Sequence, residues 1–192
     1  MSRWIETIQL RNGKFSLLTY HQRRVNETLQ QPTFSLAEIL RTQNFPGDGL
    51  FKVRISYSKK DFTVTYEPYQ QKQIHSLRIV ESDKIDYSQK WENRSEIEKL
   101  YLEKGEASDI VIVRQKKVTD SSYANLLLWD DHRWITPTSF LLNGVMRQYL
   151  LDTGVIQEKV VNYKDLKLYS KVKLINAMVG MDGPEIDIEH IY

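Results

Sequence analysis

Four positions in this sequence carry groups suited to chemistry. Lys90 follows a polar stretch, and a lysine amine can act as nucleophile, acid or base because burial readily shifts its pKa. Asp120 precedes small residues that lead into a strand, and Gly144 opens a helix whose free N–H groups could bind an anion. Arg24 offers a bidentate fork for phosphate or carboxylate. Taken singly, each is equally typical of a surface or turn residue.

Several common kinds of site are excluded or disfavoured. The 192 residues include no cysteine, which removes disulfides, cysteine-bound metals and thiol nucleophiles. The four histidines lack metal-ligand spacing, so we expect no metal site. No G-x-S-x-G, P-loop or G-x-G-x-x-G pattern occurs. A net charge of +2 is too balanced for a nucleic-acid binder. We find no leader pattern and no membrane-spanning stretch, and therefore expect a cytoplasmic protein.

Hydrophobic periodicity predicts an α+β organisation that would position these residues. The polar stretch 81–90 is the expected connection between a small lobe, residues 1–83, and a larger lobe, residues 84–192. In the small lobe we predict strands at 5–10, 15–19, 50–57, 62–66 and 76–80 and helices at 20–30 and 35–43. In the larger lobe we predict strands at 110–113, 124–129, 134–136 and 173–178 and helices at 95–105, 145–152 and 163–170.

Capping signals support two of the predicted helices. Ser35 with Glu38, and Ser95 with Glu98, have the spacing of a capping box, in which a serine side chain closes the start of a helix. Asn12-Gly13 is a typical hairpin turn after the first strand.

Seven short motifs occur in the order seen in class IV (fold type IV) pyridoxal-phosphate enzymes, which the chain resembles over about residues 4–180. Lys-x-x-Asn-Arg, Gly-x-Met-Arg-Gln and Asn-Ala-Met are most similar to aminodeoxychorismate lyase. The motifs are Trp4-Ile-Glu-Thr-Ile with Asn12-Gly-Lys, His21-x-x-Arg24, Lys90-x-x-Asn93-Arg94, Val118-Thr-Asp-Ser-Ser-Tyr-Ala-Asn125, Thr136-Pro137, Asn143-Gly-Val-Met-Arg147 and Leu174-Ile-Asn-Ala-Met178.

The resemblance implies pyridoxal 5'-phosphate as cofactor and gives the chemical residues their roles. Lys90 would form the Schiff base and then, as a free amine, act as acid and base. Asp120 would pair with the pyridinium nitrogen and keep it protonated, so that the ring can accept electrons. The family more often has glutamate there, and the shorter aspartate requires the ring or the strand to sit closer.

The resemblance also implies the rest of the cofactor site. Arg24 and the N–H groups of the helix that starts after Gly144 suit the phosphate, since both supply donors and positive charge. The remaining cofactor-binding residues are Asn125, Val145, Met146, Asn176 and Ala177.

Fewer residues are predicted to bind the substrate. A substrate with two carboxylates needs cations, and Arg54 with Lys52 on the polar face of a strand could supply them. The arginine- and glycine-rich loop that lyases have after this strand is replaced here by the short turn 57–61. An N-terminal strand hairpin of the family is also missing, so the resemblance implies a two-lobed, D-amino acid aminotransferase-like fold with a minimal N-terminal lobe.

The function implied is that of a lyase that converts 4-amino-4-deoxychorismate to 4-aminobenzoate and pyruvate for folate biosynthesis. The alternative is a class IV aminotransferase acting on a branched-chain or D-amino acid, and the sequence barely separates the two. A non-catalytic binding module of the same fold is a third interpretation, which the presence of Lys90 and Arg24 disfavours. The resemblance further implies a homodimer that acts on a small molecule.

Overall fold

The structure, a computed structural model, describes residues 3–30, 32 and 34–192. Helices α1 to α4 span Leu18–Leu29, Leu36–Arg41, Ser95–Leu102 and Val145–Asp152. Strands β1 to β12 span Trp4–Arg11, Lys14–Phe15, Leu50–Tyr57, Phe62–Pro68, Leu77–Glu81, Asp109–Arg114, Lys117–Ser121, Asn125–Trp129, Trp134–Pro137, Gln157–Lys159, Lys171–Ile175 and Glu185–Asp187. Short 3₁₀ helices span Tyr163–Leu168, Gly180–Asp182 and Ile188–His190.

The chain divides into two compact units. The first unit comprises Met1–Gln71 and Gln89–Asn93, and the second comprises Lys72–Ser88 and Arg94–Tyr192. The predicted lobe boundary at residues 83 and 84 lies inside the first segment of the second unit.

The first unit is an antiparallel sheet in the order β2-β1-β3-β4 with α1 and α2 packed on one face. Alternation along β1 places Glu6, Ile8 and Leu10 on the buried face, opposite Ile55, Val53 and Phe51 of β3. The core is completed by apolar residues of both helices, among them Val25, Leu29, Leu36 and Leu40.

The segment Gln89–Asn93, which contains Lys90, belongs to the first unit although it follows part of the second unit in the sequence. The main-chain N–H of Ile5 donates to the carbonyl oxygen of Lys90 over 3.0 Å, and that of Glu92 donates to Arg3 over 2.9 Å. The indole rings of Trp4 and Trp91 stack with centroids 5.2 Å apart. The start of β1 therefore fixes the backbone from Lys90 to Glu92.

The second unit is built on an eight-stranded mixed sheet with the path β10-β9-β8-β7-β6-β5; β11 pairs with β8, and β12 pairs with β11. The β7–β8 hairpin turns at residues 122–124 and places Asp120 opposite Asn125. Apolar residues from β6, β8 and β11 form its core, including Val111, Leu126 and Leu174.

Most predicted elements are found, and β3 and α4 have the predicted bounds. The strand predicted at 15–19 is cut short, because Leu17 has a left-handed backbone (φ 53°) and α1 begins at the next residue. The strand predicted at 76–80 forms as β5, but it pairs in parallel with β6 of the second unit and not with the first sheet. The predicted helix at 163–170 is a 3₁₀ helix, while β7, β10 and β12 were not predicted.

The two capping boxes do not form. Ser35 and Arg94 occupy the cap positions of α2 and α3 without a side-chain capping bond, and Ser95 is already inside α3. At α2 the first helical N–H, that of Leu36, is instead held by the side-chain oxygen of Gln22 over 2.7 Å. A side chain distant in sequence has thus replaced the local cap.

Candidate active site

Lys90 lies half-buried in the first unit, on the segment that β1 holds by its backbone. Its positive charge contributes to lowering the pKa of His21, which places its ammonium within electrostatic range of that ring. The structure therefore brings two of the predicted residues, Lys90 and Arg24, into one neighbourhood, because His21 and Arg24 share one face of α1.

A buried cluster of Glu6, His21 and Arg24, here called the Glu6 cluster, connects β1 with α1. Arg24 donates from Nε to Glu6 Oε1 over 2.8 Å and from Nη2 to Oε2 over 2.5 Å. His21 Nδ1 lies 2.5 Å from Glu6 Oε2. The pair between Arg24 and Glu6 fixes the guanidinium that the sequence assigned to the cofactor phosphate.

The electrostatics of the Glu6 cluster keep the acid charged and the imidazole neutral. Burial alone would raise the pKa of Glu6, but the Arg24 charge and the hydrogen bonds from His21 and Arg24 lower it to about 2. Burial lowers the pKa of His21 despite its bond to Glu6. His21 Nδ1–H therefore donates to Glu6, and Nε2 is left as a buried acceptor without a partner among the described residues.

Lys52 and Arg54 point away from the Glu6 cluster, because they alternate with the buried residues of β3. Lys52 Nζ pairs with Glu67 over 2.7 Å, and Arg54 Nη2 pairs with Glu92 over 3.3 Å. Both predicted substrate contacts are thus half-exposed and already paired with a carboxylate.

Asp120 is the centre of the second group of predicted residues. Its Oδ1 accepts from Asn125 Nδ2 over 2.8 Å, and its Oδ2 accepts the main-chain N–H groups of Leu141 and Leu142 over 3.0 and 2.9 Å. Asn125 Nδ2 also donates to the carbonyl of Leu142 over 2.9 Å. These four residues, here called the Asp120 clamp, hold the carboxylate rigidly.

Burial makes ionisation of the Asp120 carboxyl group unfavourable. Burial raises its pKa to about 6, although hydrogen bonds from Leu142, Asn125 and Leu141 oppose the shift. A cation against the carboxylate would remove this cost, and a protonated ring nitrogen is such a cation.

Gly144 lies directly before α4 and against the Asp120 clamp. A Cβ atom at this position would lie 2.0 Å from Asn125 Oδ1, so only glycine fits there. The first N–H groups of a helix have no partner within the helix, and in α4 these belong to Val145 and Met146. The N-terminal end of α4 therefore presents main-chain donors of the kind that bind a phosphate, and Gly144 lets Asn125 pack directly beside it.

Asn176 and Ala177 follow β11 in a tight turn. Asn176 Oδ1 accepts the N–H groups of Met178 and Val179 over 2.8 and 3.2 Å, which shapes the turn. A Cβ atom at Gly180 would lie 3.5 Å from Met146 Cε, so the turn packs beside the start of α4. The structure thus gathers the predicted cofactor residues of the second unit in one place.

Sequence reasoning missed several residues that build these two groups. Glu6 was identifiable as a charge on the buried face of an alternating strand, whereas the main-chain donors of Leu141 and Leu142 leave no sequence signal. Arg147 is buried and binds Asn143 Oδ1 and the Pro137 carbonyl over 3.1 Å each, and also Glu158. It thereby holds the segment that carries the Leu141 and Leu142 donors.

A group of three possible metal ligands lies elsewhere, at Asp187, Glu189 and His190. All three side chains are exposed, and exposed acidic groups are common without a metal, so we assign no role to them. No helix of the described residues has the length and apolar character needed to cross a membrane.

Comparison with known proteins identifies the family of the chain. The profile of the amino-transferase class IV family matches residues 4–182. The chain belongs to this family. A protein of uncharacterised function from Haemophilus influenzae is 32% identical over 183 residues, which cover 92% of this chain and 97% of that protein.

Solved structures extend the comparison. A provisionally named 4-amino-4-deoxychorismate lyase from Haemophilus somnus 129PT is 36% identical with a TM-score of 0.87, covering 94% of this chain and 98% of that one. An aminotransferase from Brucella abortus, described with bound pyridoxal phosphate, is 16% identical with a TM-score of 0.73, covering 96% and 83%. The predicted fold class is confirmed.

Proposed function

We propose that this pyridoxal-phosphate-dependent enzyme is a lyase that converts 4-amino-4-deoxychorismate to 4-aminobenzoate and pyruvate. The Asp120 clamp beside the glycine start of α4 carries the cofactor part of the proposal, because it joins a buried carboxylate to an anion-binding helix end. The 36% identity to the provisionally named lyase favours this reaction among those of the family.

Each residue of the site has a defined task in this proposal. Pyridoxal phosphate, when bound, supplies an electron sink for negative charge that develops on the substrate. Lys90 would hold the cofactor and, as a free amine, would take the proton from the substrate carbon that bears the amino group and give it to the methylene carbon of the departing enolpyruvate. The substrate ring becomes aromatic as its carbon–oxygen bond to the enolpyruvyl group breaks, and pyruvate leaves.

The other residues bind and orient. Asp120 keeps the ring nitrogen protonated, and Asn125 holds Asp120 in place. The phosphate is assigned to the N–H groups of Val145 and Met146, and Gly144 lets Asn125 pack directly beside this helix start. Arg24, Asn176 and Ala177 stay predicted contacts of the same phosphate.

The substrate contacts and the assembly are proposals of their own. Arg54 and Lys52 would have to release their carboxylate partners to bind a substrate, so they stay predictions. A homodimer, a cytoplasmic location and a role in folate biosynthesis are also proposals, and size-exclusion chromatography with light scattering tests the first.

The alternative function is that of an aminotransferase, which the family match and the Brucella relative favour. The two reactions differ in what becomes of the amino group. We expect the enzyme to release pyruvate from 4-amino-4-deoxychorismate, measured with coupled lactate dehydrogenase, and K90A to release none. K84A, which changes an exposed lysine, is the matched control. Amino transfer to 2-oxo acids without pyruvate release would decide for the aminotransferase.

A further inference from the structure

Arg94 is half-buried, and hydrogen bonds within the described part of the protein occupy few of its N–H donors. Nη2 donates to the carbonyl oxygen of Ser122, while Nε is buried and has no partner among the described residues. A buried donor without a partner is costly, so the guanidinium is not placed there by protein hydrogen bonds alone.

Arg94 also lacks a counter-charge. Of the five other buried or half-buried arginines, Arg3, Arg24, Arg54 and Arg147 each pair with a carboxylate, and Arg114 donates to the carbonyl of Ile85. No ion pair of the described part of the chain includes Arg94. Arg94 therefore combines a fully buried Nε that has no partner among the described residues with a charge that no carboxylate there balances, which suits the binding of an anion from outside.

The position of Arg94 connects it with the Asp120 clamp. Ser122 lies two residues after Asp120, in a turn that Ser121 stiffens by accepting the N–H of Ala124 at its hydroxyl over 3.1 Å. Lys72 Nζ lies 4.9 Å from the ring centre of Tyr123 in the same turn. Of the acids, Asp109 faces this turn through a hydrogen bond from Ser122, and burial raises its pKa. The cations Arg94 and Lys72 thus lie beside this turn together with the carboxyl group of Asp109.

We propose that Arg94 binds a carboxylate of the substrate and selects for substrates that carry an acid group. The guanidinium presents planar, directional donors that match a carboxylate better than a lysine ammonium would. The inference rests on the proposed function in one respect, that the Asp120 clamp marks the active site. It does not depend on whether the reaction is elimination or amino transfer.

The experiment compares acids with their neutral amides. Isothermal titration calorimetry of the cofactor-loaded full-length protein would use 4-aminobenzoate, L-leucine and D-alanine, each against its carboxamide. We expect the wild type to bind at least one acid at least tenfold more tightly than its amide. R94Q should reduce that preference by about 10-fold to 100-fold, and R94K should retain part of it.

R114Q is the matched control, since Arg114 is also half-buried in the second unit and donates to one carbonyl, that of Ile85. It should keep the wild-type preference, and circular dichroism and cofactor content verify that each variant folds.

An unchanged acid preference in R94Q contradicts the proposal, as does a wild type that prefers no acid. If R94Q keeps the acid preference but shifts the pH midpoint of the visible absorption band, Arg94 acts on the cofactor and not on the substrate, which also contradicts the proposal. Pyruvate release tests the lyase separately, so either proposal can fail alone.

Discussion

Replacing Gly144 by alanine tests the close packing between α4 and the Asp120 clamp. The backbone at Gly144 has φ −68°, which alanine adopts freely, so the effect of the substitution is steric. A Cβ atom would lie 2.0 Å from Asn125 Oδ1, which no relaxed structure permits. The Asn125 side chain must move, and it then loses its bonds to Asp120 and to the Leu142 carbonyl.

The size of the effect follows from these contacts. Forcing one extra methyl group into a packed site costs about 1–3 kcal/mol, and a hydrogen bond to a charged group contributes about 1.5–3 kcal/mol. The terms overlap, so we expect the free energy of unfolding to fall by about 3 kcal/mol. For a chain of this length the melting temperature falls by roughly 6–12 °C.

Thermal and urea unfolding of the cofactor-free protein measures this change. G47A is the control, because no atom lies within 4 Å of a Cβ at Gly47, and its effect should stay within about 0.5 kcal/mol. In the double variant N125A/G144A the obstructing oxygen is gone, so alanine at 144 should cost at least about 1 kcal/mol less than in the wild type. A G144A protein as stable as wild type, with unchanged cofactor affinity, refutes the reasoning.

Two further predictions concern pH. The pKa of Glu6 is lowered from 4.5 to about 2, so its stabilisation is complete above pH 4.5 and is lost as the pH falls towards 2. E6Q should remove about 3 kcal/mol at pH 7 and much of the acid dependence, measured by urea unfolding from pH 3 to 7; an unaltered profile contradicts the ion pair. The pKa of Asp120 is raised from 3.8 to about 6, so the cofactor-free protein should gain up to about 3 kcal/mol as the pH falls from 6 to 4. D120N should flatten that gain, and a persistent gain would show that another group titrates.

The elements that were predictable from the sequence are those with a local pattern. The alternation in β3 and the apolar stripe of α4 between Gly144 and Gly154 determine both elements almost alone. β7 was missed because Thr119, Asp120 and Ser121 are polar yet buried, which no hydropathy pattern indicates. These polar residues are there because β7 carries the Asp120 carboxylate and leads into the turn at residues 122–124.

Pairing between distant segments accounts for the remaining differences. β5 pairs in parallel with β6, and α3 lies between them in the sequence. A parallel pair is not joined by a short hairpin turn, so no turn motif in the sequence indicates the pairing. The donors that hold Asp120 are main-chain N–H groups of Leu141 and Leu142, whose side chains are irrelevant to the contact. The motifs therefore identified Asp120 as chemically important, while the means of holding it emerged only from the fold.

Lys90 is the proposed attachment point of pyridoxal phosphate. The direct test is borohydride reduction of the purified, cofactor-loaded protein, with visible spectra before and after and peptide mapping of the product. We predict a visible band that reduction abolishes and a single covalent adduct on Lys90. The absence of a band, or an adduct on another lysine, would contradict the account.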